Sequence, residues 1–120
     1  MIVVKDLRKS FGDVKAVNGV SFEARDGQIT GLLGPNGAGK TTTLRILATM
    51  LKPHAGTATV AGSDLLQDPE GVRRKIGFLT GNTGLYLRLT GREILRYFGQ
   101  LEGMSPADVN RRIEKFSNLL

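Results

Sequence analysis

The sequence predicts an α/β domain, and three observations predict it. An apolar run, ITGLLG at 29–34, leads straight into the glycine-punctuated stretch GPNGAGK. Beyond it the apolar period changes, with Leu44, Leu47, Ala48 and Leu51 at i, i+3, i+4 and i+7, one face of a helix. Around this centre lie further short apolar runs with the spacing of strands, MIVVKDL and VSFEA before it and TATVAG and IGFL after it. Strands interleaved with helices are the pattern of a sheet covered by helical layers.

Taken in order, MIVVKDL is an opening strand and SFGD a turn, and VSFEA at 20–24 is a second strand. DGQ at 26–28 is a turn. ITGLLG, apolar on both faces, suits a buried parallel strand. The helix from Thr41 is expected to close at Lys52 and Pro53, a cation near its C-terminus and a residue that cannot continue it. TATVAG and IGFL are further strands, and DPEGVRRK between them is a short polar helix or turn. TGNTGLYLRLTG holds three glycines in twelve residues and is expected to be an exposed loop. Two helices follow. One covers Arg92 to Leu101. The other opens at SPAD, with Ser105 as N-cap, Pro106 at the first helical position and Asp108 completing a capping box. No closing cap follows at Leu120, and the chain is expected to be the front of a longer protein.

Composition bounds the function. The length of 120 residues is that of one domain, with 40% hydrophobic and 23% charged residues, a folded chain and not a disordered one. No apolar run approaches the roughly 20 residues of a membrane-spanning helix. MIVVKDLRKS, apolar first and charged afterwards, is expected not to be a secretory signal. The absence of cysteine excludes a disulfide framework and fits a reducing cytosol. The net charge of +6 is read as a solvated face. Its two bunches, Arg73-Arg74-Lys75 and Arg111-Arg112, have no flanking stacking aromatics, and no nucleic-acid partner is expected.

The chemistry is concentrated at Gly34-Pro35-Asn36-Gly37-Ala38-Gly39-Lys40-Thr41, which matches G-x-x-x-x-G-K-[ST] at every fixed position. A triphosphate is a dense anion. Consecutive backbone N–H groups can surround it only where no side chain intervenes, hence Gly37 and Gly39, with Asn36 and Ala38 completing the loop. The loop empties into a helix N-terminus, whose free N–H groups and dipole favour an anion. Lys40 supplies a cation for the β and γ phosphates, and the Thr41 hydroxyl can enter a Mg²⁺ shell. Thr42 lies one residue further in, within reach of the α phosphate. A glycine-rich turn with nothing bound is the bland alternative, and the apolar strand before and apolar-faced helix after argue against it.

With these residues in place, nearly the whole chain resembles the front half of an ABC-transporter ATPase subunit. LRKSFGDVKAVNGVSFEARDGQITGLLGPNGAGKTTTLRIL follows the opening of that family, and GTATVAGSDL and RRKIGFL follow its next landmarks. TGLYLRLTGREIL is similar to the branch that serves drug, antibiotic and sodium export, and GFLTGNTGLY to sodium-efflux ATP-binding proteins. The resemblance implies a P-loop NTPase fold with a RecA-like parallel core and an antiparallel β-subdomain, ending before its second half. It implies that residues 1–80 form the β-subdomain and P-loop core, and that residues 81–120 begin the helical arm. It implies ATP and Mg²⁺ as cofactors, Phe11 stacked on adenine, and Val17 near the ribose or base. Where the family places a metal-contacting glutamine after IGFL, this chain has Gly81, which offers no side-chain ligand. Asn82 is the nearest carbonyl oxygen, one position off the pattern.

The resemblance further implies a membrane-spanning transporter subunit and a second ATP-binding subunit as partners, with the protein cytoplasmic and peripheral at the membrane. The apolar run ending in Asp-Glu, the LSGGQ-like signature and the switch histidine of the family do not occur, and the single histidine, His54, follows Pro53 directly. No catalytic residue is therefore expected within these 120 residues. Hydrolysis belongs to the longer parent. A soluble ABC ATPase of DNA repair or translation and a non-catalytic nucleotide binder are the competing readings. A small P-loop kinase would need a substrate segment and an arginine-bearing lid, and neither occurs.

Overall fold

A computed structural model of the chain describes residues 1–81, 84 and 88–119. The described residues fall into two compact units, Met1–Leu79 and Thr80–Leu120.

The first unit is built on a four-stranded antiparallel sheet in the order β2-β1-β3-β4. Its strands are β1 (Ile2–Phe11), β2 (Val14–Ala24), β3 (Ala55–Val60) and β4 (Ser63–Asp64). β1 and β2 form a hairpin whose last pair is Phe11 with Val14. Its two-residue connection places Gly12 at φ 55, the positive value that a tight hairpin turn requires at its first central position. Midway, β1 carries a bulge. Asp6 sits at φ 46 between shifted registers, and its carboxylate takes two hydrogen bonds from Arg8, of 2.8 and 3.2 Å. The bulge re-aims the strand so that Val4 and Leu7 both turn inward.

One helix, α1 (Lys40–Leu47), lies against the sheet, and a short one, α2 (Pro69–Arg73), follows β4. The core gathers Val4, Leu7 and Val17 from the hairpin, Ile46 from α1, Val60 from β3 and Val72 from α2. Asp68 caps α2. It accepts from the Gly71 N–H at 2.9 Å and the Ser63 hydroxyl at 2.8 Å, and Ser63 in turn accepts from Lys75 at 2.9 Å. The Ser63 hydrogen bond first, and then the Gly71 N–H, hold the Asp68 carboxyl below its usual range.

Three expectations change. The segments 29–34 and 76–79, read as parallel strands, form no strand and pair with no other described segment. Ile29 and Leu79 stand exposed, and Leu33 is 92% exposed. A parallel strand is held by hydrogen bonds from its neighbours, and the antiparallel sheet supplies none to these segments. The α/β architecture with an antiparallel sheet stands as expected. Second, α1 ends at Leu47, well before Lys52, because Thr49 turns to φ 60 while its N–H bonds back to the Ile46 carbonyl. The buried face is therefore Thr43, Ile46 and Leu47, with Leu44 turned outward. Third, β2 begins at Val14 and not at Val20. Gly19, at φ 76, sits against the Asp6 carboxylate, so the strand passes through a glycine that reads as a breaker.

The second unit holds α3 (Gly91–Leu101) and α4 (Pro106–Ser117). Thr90 and Glu93 form a reciprocal capping box on α3. Ser105 caps α4 by accepting the Asp108 N–H at 3.2 Å, with Pro106 opening the helix as the sequence predicts. The helices meet where Gly99 leaves room for the Val109 side chain, and Val109 and Ile113 are buried.

Candidate nucleotide-binding site

The glycine loop between 34 and 40 is anchored from both ends. On the loop side, the Ala38 N–H bonds to the Pro35 carbonyl at 3.2 Å, a turn that folds 35–38 back on itself. On the helix side, Gly39 is the N-cap of α1 at φ 83, and the first helical hydrogen bond runs from the Thr43 N–H to the Gly39 carbonyl at 2.8 Å. The N–H groups of Lys40, Thr41 and Thr42 precede that bond and lie at the open end of the helix. No side chain caps them, and no acidic residue stands in the first turn. Asp or Asn at the cap would satisfy these donors and add negative charge or bulk. Glycine leaves them for an anion.

Gly39 is needed for a second reason. A Cβ placed there would overlap the Ala16 carbonyl oxygen of β2 and come within 3.4 Å of Val17 Cγ2. The loop thus packs directly on the hairpin strand, backbone to backbone. Gly37, at φ 82, faces open space instead. Its requirement for glycine is purely conformational.

Lys40 turns back along the loop, and its ammonium donates to the Gly34 carbonyl at 2.5 Å and the Pro35 carbonyl at 2.6 Å. These two bonds hold the cation over the same loop whose N–H groups form the cradle. The Thr41 side chain is exposed at the helix start, Thr42 half-buried behind it, and Asn36 exposed at the loop tip. Loop and helix start thus bring Asn36, Gly37, Ala38, Gly39, Lys40, Thr41 and Thr42 together at one place.

Phe11 ends β1 at the hairpin tip and is 49% exposed. It is no core aromatic. The Lys9 ammonium lies 5.5 Å from its ring centroid. The tip is close to the loop by construction. Val14, opposite Phe11, is two residues from Ala16, a span of about 7 Å along a strand. Val17 is 3% exposed and packs in the core beneath Gly39, so it touches the loop and not open space. Asn82 lies outside the described residues. Sequence reasoning did not find the Ala16 carbonyl as the seat of Gly39, or Lys9 as the cation over Phe11. Neither residue type carries a motif, and both roles arise from strand register alone.

The donor set fits a nucleoside triphosphate with a hydrated divalent cation. Backbone N–H groups and one lysine suit phosphate oxygens. The described residues contain no cluster of three or more histidine, cysteine or acidic side chains that could cage a metal. A Mg²⁺ at Thr41 would share its shell between that hydroxyl, phosphate oxygens and water, the usual arrangement for this ion.

Comparisons with known proteins agree with this geometry. A family model described as ABC transporter matches residues 17–120. The ABC transporter ATP-binding protein NatA of Bacillus subtilis (strain 168) is 45% identical over 122 residues, covering 98% of this chain and 50% of NatA. The doxorubicin resistance ATP-binding protein DrrA of Mycobacterium tuberculosis (strain CDC 1551 / Oshkosh) is 43% identical over 122 residues, covering 97% of this chain and 37% of DrrA. The chain thus spans about half the length, or less, of these relatives. Among solved structures, an ATP binding subunit of an ABC transporter superposes with a TM-score of 0.80 at 32% identity, over 93% of this chain and 47% of that one. The ATP-binding cassette MJ0796, solved as a dimer in a post-hydrolysis state bound to ADP and Pi, superposes with a TM-score of 0.79 at 27% identity. That match covers 96% of this chain and 55% of the cassette.

Proposed function

Because the chain belongs to the ABC transporter family, we propose that it is the nucleotide-gripping part of an ATP-binding subunit that couples ATP binding and hydrolysis to solute export. The solute leaves through a separate membrane-spanning subunit, with sodium or a drug as the class of cargo. The relative named for doxorubicin resistance supports the drug branch, and the resemblance of GFLTGNTGLY at 77–86 to sodium-efflux ATP-binding proteins supports the sodium branch. No helix among the described residues is long and apolar enough to cross a membrane, which accords with a separate membrane partner.

The observation that carries the reading is the packing of Gly39 on the Ala16 carbonyl. It joins the loop to the hairpin that ends in Phe11, which supports the reading of a base platform beside a phosphate cradle. In this reading the N–H groups of the loop and of Lys40, Thr41 and Thr42 bind the phosphates. Lys40 exchanges its two carbonyl contacts for β and γ phosphate oxygens. Phe11 stacks on adenine, and Val17 supports the loop from below. Thr41 would hold Mg²⁺, which when bound would supply charge neutralisation for the phosphates in phosphoryl transfer. Asn82 is a further candidate metal contact. A second ATP-binding subunit faces the first, as the dimeric cassette MJ0796 does with its own copy. The protein works at the cytoplasmic face of the membrane as a peripheral subunit.

The test is calorimetric titration of Mg-ATP into the purified chain and its Lys40→Ala variant. A lost charge-assisted hydrogen bond is worth about 1.5–3 kcal/mol, so the variant should bind roughly 10- to 100-fold more weakly while keeping its melting temperature. Equal affinity in both folded proteins overturns the assignment.

A further inference from the structure

We propose that His54 is a positioning residue for Phe11 and that it acts as the neutral imidazole, so that base binding by this site depends on the protonation of one histidine. The inference rests on the reading of Phe11 as the base platform. His54 immediately precedes β3, and its N–H donates to the Arg8 carbonyl at 2.8 Å. The β1–β3 ladder reaches only as far as the pair Arg8 and Ala55, and the β1–β2 register shifts between Lys9 and Ser10. The tip of β1 has therefore run beyond its partner on the β3 side. There the imidazole takes the place of a strand, and its Nδ1 accepts the Ser10 N–H at 3.3 Å. Ser10 is the residue before Phe11. Its other nitrogen, Nε2, stands 3.4 Å from the Lys9 ammonium, and that ammonium lies 5.5 Å from the centroid of the Phe11 ring.

Two donors face the ring. A neutral imidazole has one nitrogen lone pair free to accept. The Ser10 N–H at Nδ1 and the Lys9 ammonium at Nε2 both only donate, so the one lone pair can serve either; in the proposed tautomer Nδ1 accepts from Ser10 and Nε2 carries the hydrogen. In that tautomer Lys9 has no acceptor on the ring and rests over Phe11. Protonation changes both contacts at once. Nδ1 becomes a donor facing the Ser10 N–H, and a second cation appears 3.4 Å from Lys9. On β1, Lys9 is the charged group facing the ring. Arg8 offers His54 only its carbonyl, its guanidinium being bonded to Asp6 and Asn18. Lys52, two residues earlier on the same connection, is a further cation. Among the described residues no carboxylate is bonded or paired to the ring. The charged form thus releases the strand end that carries Phe11 and disturbs the cation above it.

Imidazole is the side chain that changes charge between about pH 5 and 8. The experiment measures binding of ATP, and separately of inorganic tripolyphosphate, to the purified chain from pH 8.0 to 5.5. It uses the wild type, His54→Asn, His54→Gln and Phe11→Ala. Asparagine sets an acceptor oxygen where Nδ1 stood and does not titrate. Glutamine sets its acceptor near the Nε2 position and leaves Ser10 unpaired. At pH 8.0, His54→Asn should bind ATP as the wild type does, and His54→Gln more weakly. On acidification the wild type should lose roughly three- to tenfold more ATP affinity than His54→Asn, the scale of one hydrogen bond. Tripolyphosphate, which has no base, should bind all four proteins alike at each pH. Protonation of ATP itself is common to all variants and cancels. Parallel ATP profiles for wild type and His54→Asn, alongside weakened binding by Phe11→Ala, overturn the role of His54 alone. Unchanged ATP affinity in Phe11→Ala overturns the base platform and the inference with it.

Discussion

Replacing Gly39 by alanine separates two demands that the loop makes on the same residue type. Gly39 and Gly37 have nearly equal φ, 83 and 82, but of the two only Gly39 lies against backbone. A left-handed alanine costs about 1–2 kcal/mol at either position. At Gly39 the added methyl also overlaps the Ala16 carbonyl oxygen, and forcing one extra carbon into packed structure typically costs about 1–3 kcal/mol more. Both substitutions stiffen the unfolded chain alike, so that contribution cancels between them. Gly39→Ala should therefore be less stable than Gly37→Ala by about 1–3 kcal/mol. For a chain of this size, between the ranges of about 4–8 °C and 2–4 °C per kcal/mol, that is a further fall in melting temperature of roughly 4–12 °C. Thermal unfolding without nucleotide, followed by circular dichroism, measures it. Equal shifts for the two variants would refute the idea that Gly39 seats the loop on β2.

Two other outcomes follow from the same coordinates. Phe11→Ala should lower ATP affinity by about 1–3 kcal/mol while leaving nucleotide-free melting almost unchanged, because the ring is half exposed; a large loss of apo stability with unaltered affinity contradicts it. Asp68 is held below the usual carboxyl range by the Ser63 hydroxyl and the Gly71 N–H, so its contribution to stability is present above the unfolded carboxyl pKa of about 3.9 and fades as pH falls through that value toward the folded one. The gap in melting temperature between wild type and Asp68→Asn should accordingly be widest near neutrality and narrow below about pH 4, and a gap independent of pH argues against this account.

Local rules read from the sequence succeeded wherever the decisive atoms are close in the chain. The loop at 34–41, the Ser105 and Pro106 start of α4 and the SFGD turn each depend on a few consecutive residues, and each appears as predicted. Contacts between distant segments were less legible. The early start of β2 depends on Gly19 making room for the Asp6 carboxylate, a relation set by the bulge in β1 and invisible in either stretch alone. The end of α1 is fixed by the turn at Thr49, while apolar spacing continued to Leu51. ITGLLG and IGFL show by composition that they need burial, but composition does not say which segment lies beside them. For the proposed site, the motif pointed to the loop at 34–41 and the resemblance to Phe11. The physical link between them, Gly39 on the Ala16 carbonyl, required the fold.

The central claim is that the loop at 34–42 and the hairpin tip at Phe11 receive one nucleotide together. Amide and aromatic ¹H–¹⁵N and ¹H–¹³C spectra of the labelled chain, recorded during titration with Mg-ATP, test it most directly. The account predicts that the largest shifts fall on the N–H groups of Gly37, Gly39, Lys40, Thr41 and Thr42 and on the Phe11 ring, moving with a single affinity. Binding that leaves these amides in place while shifting resonances elsewhere, or loop shifts with an unmoved Phe11 ring, would contradict it.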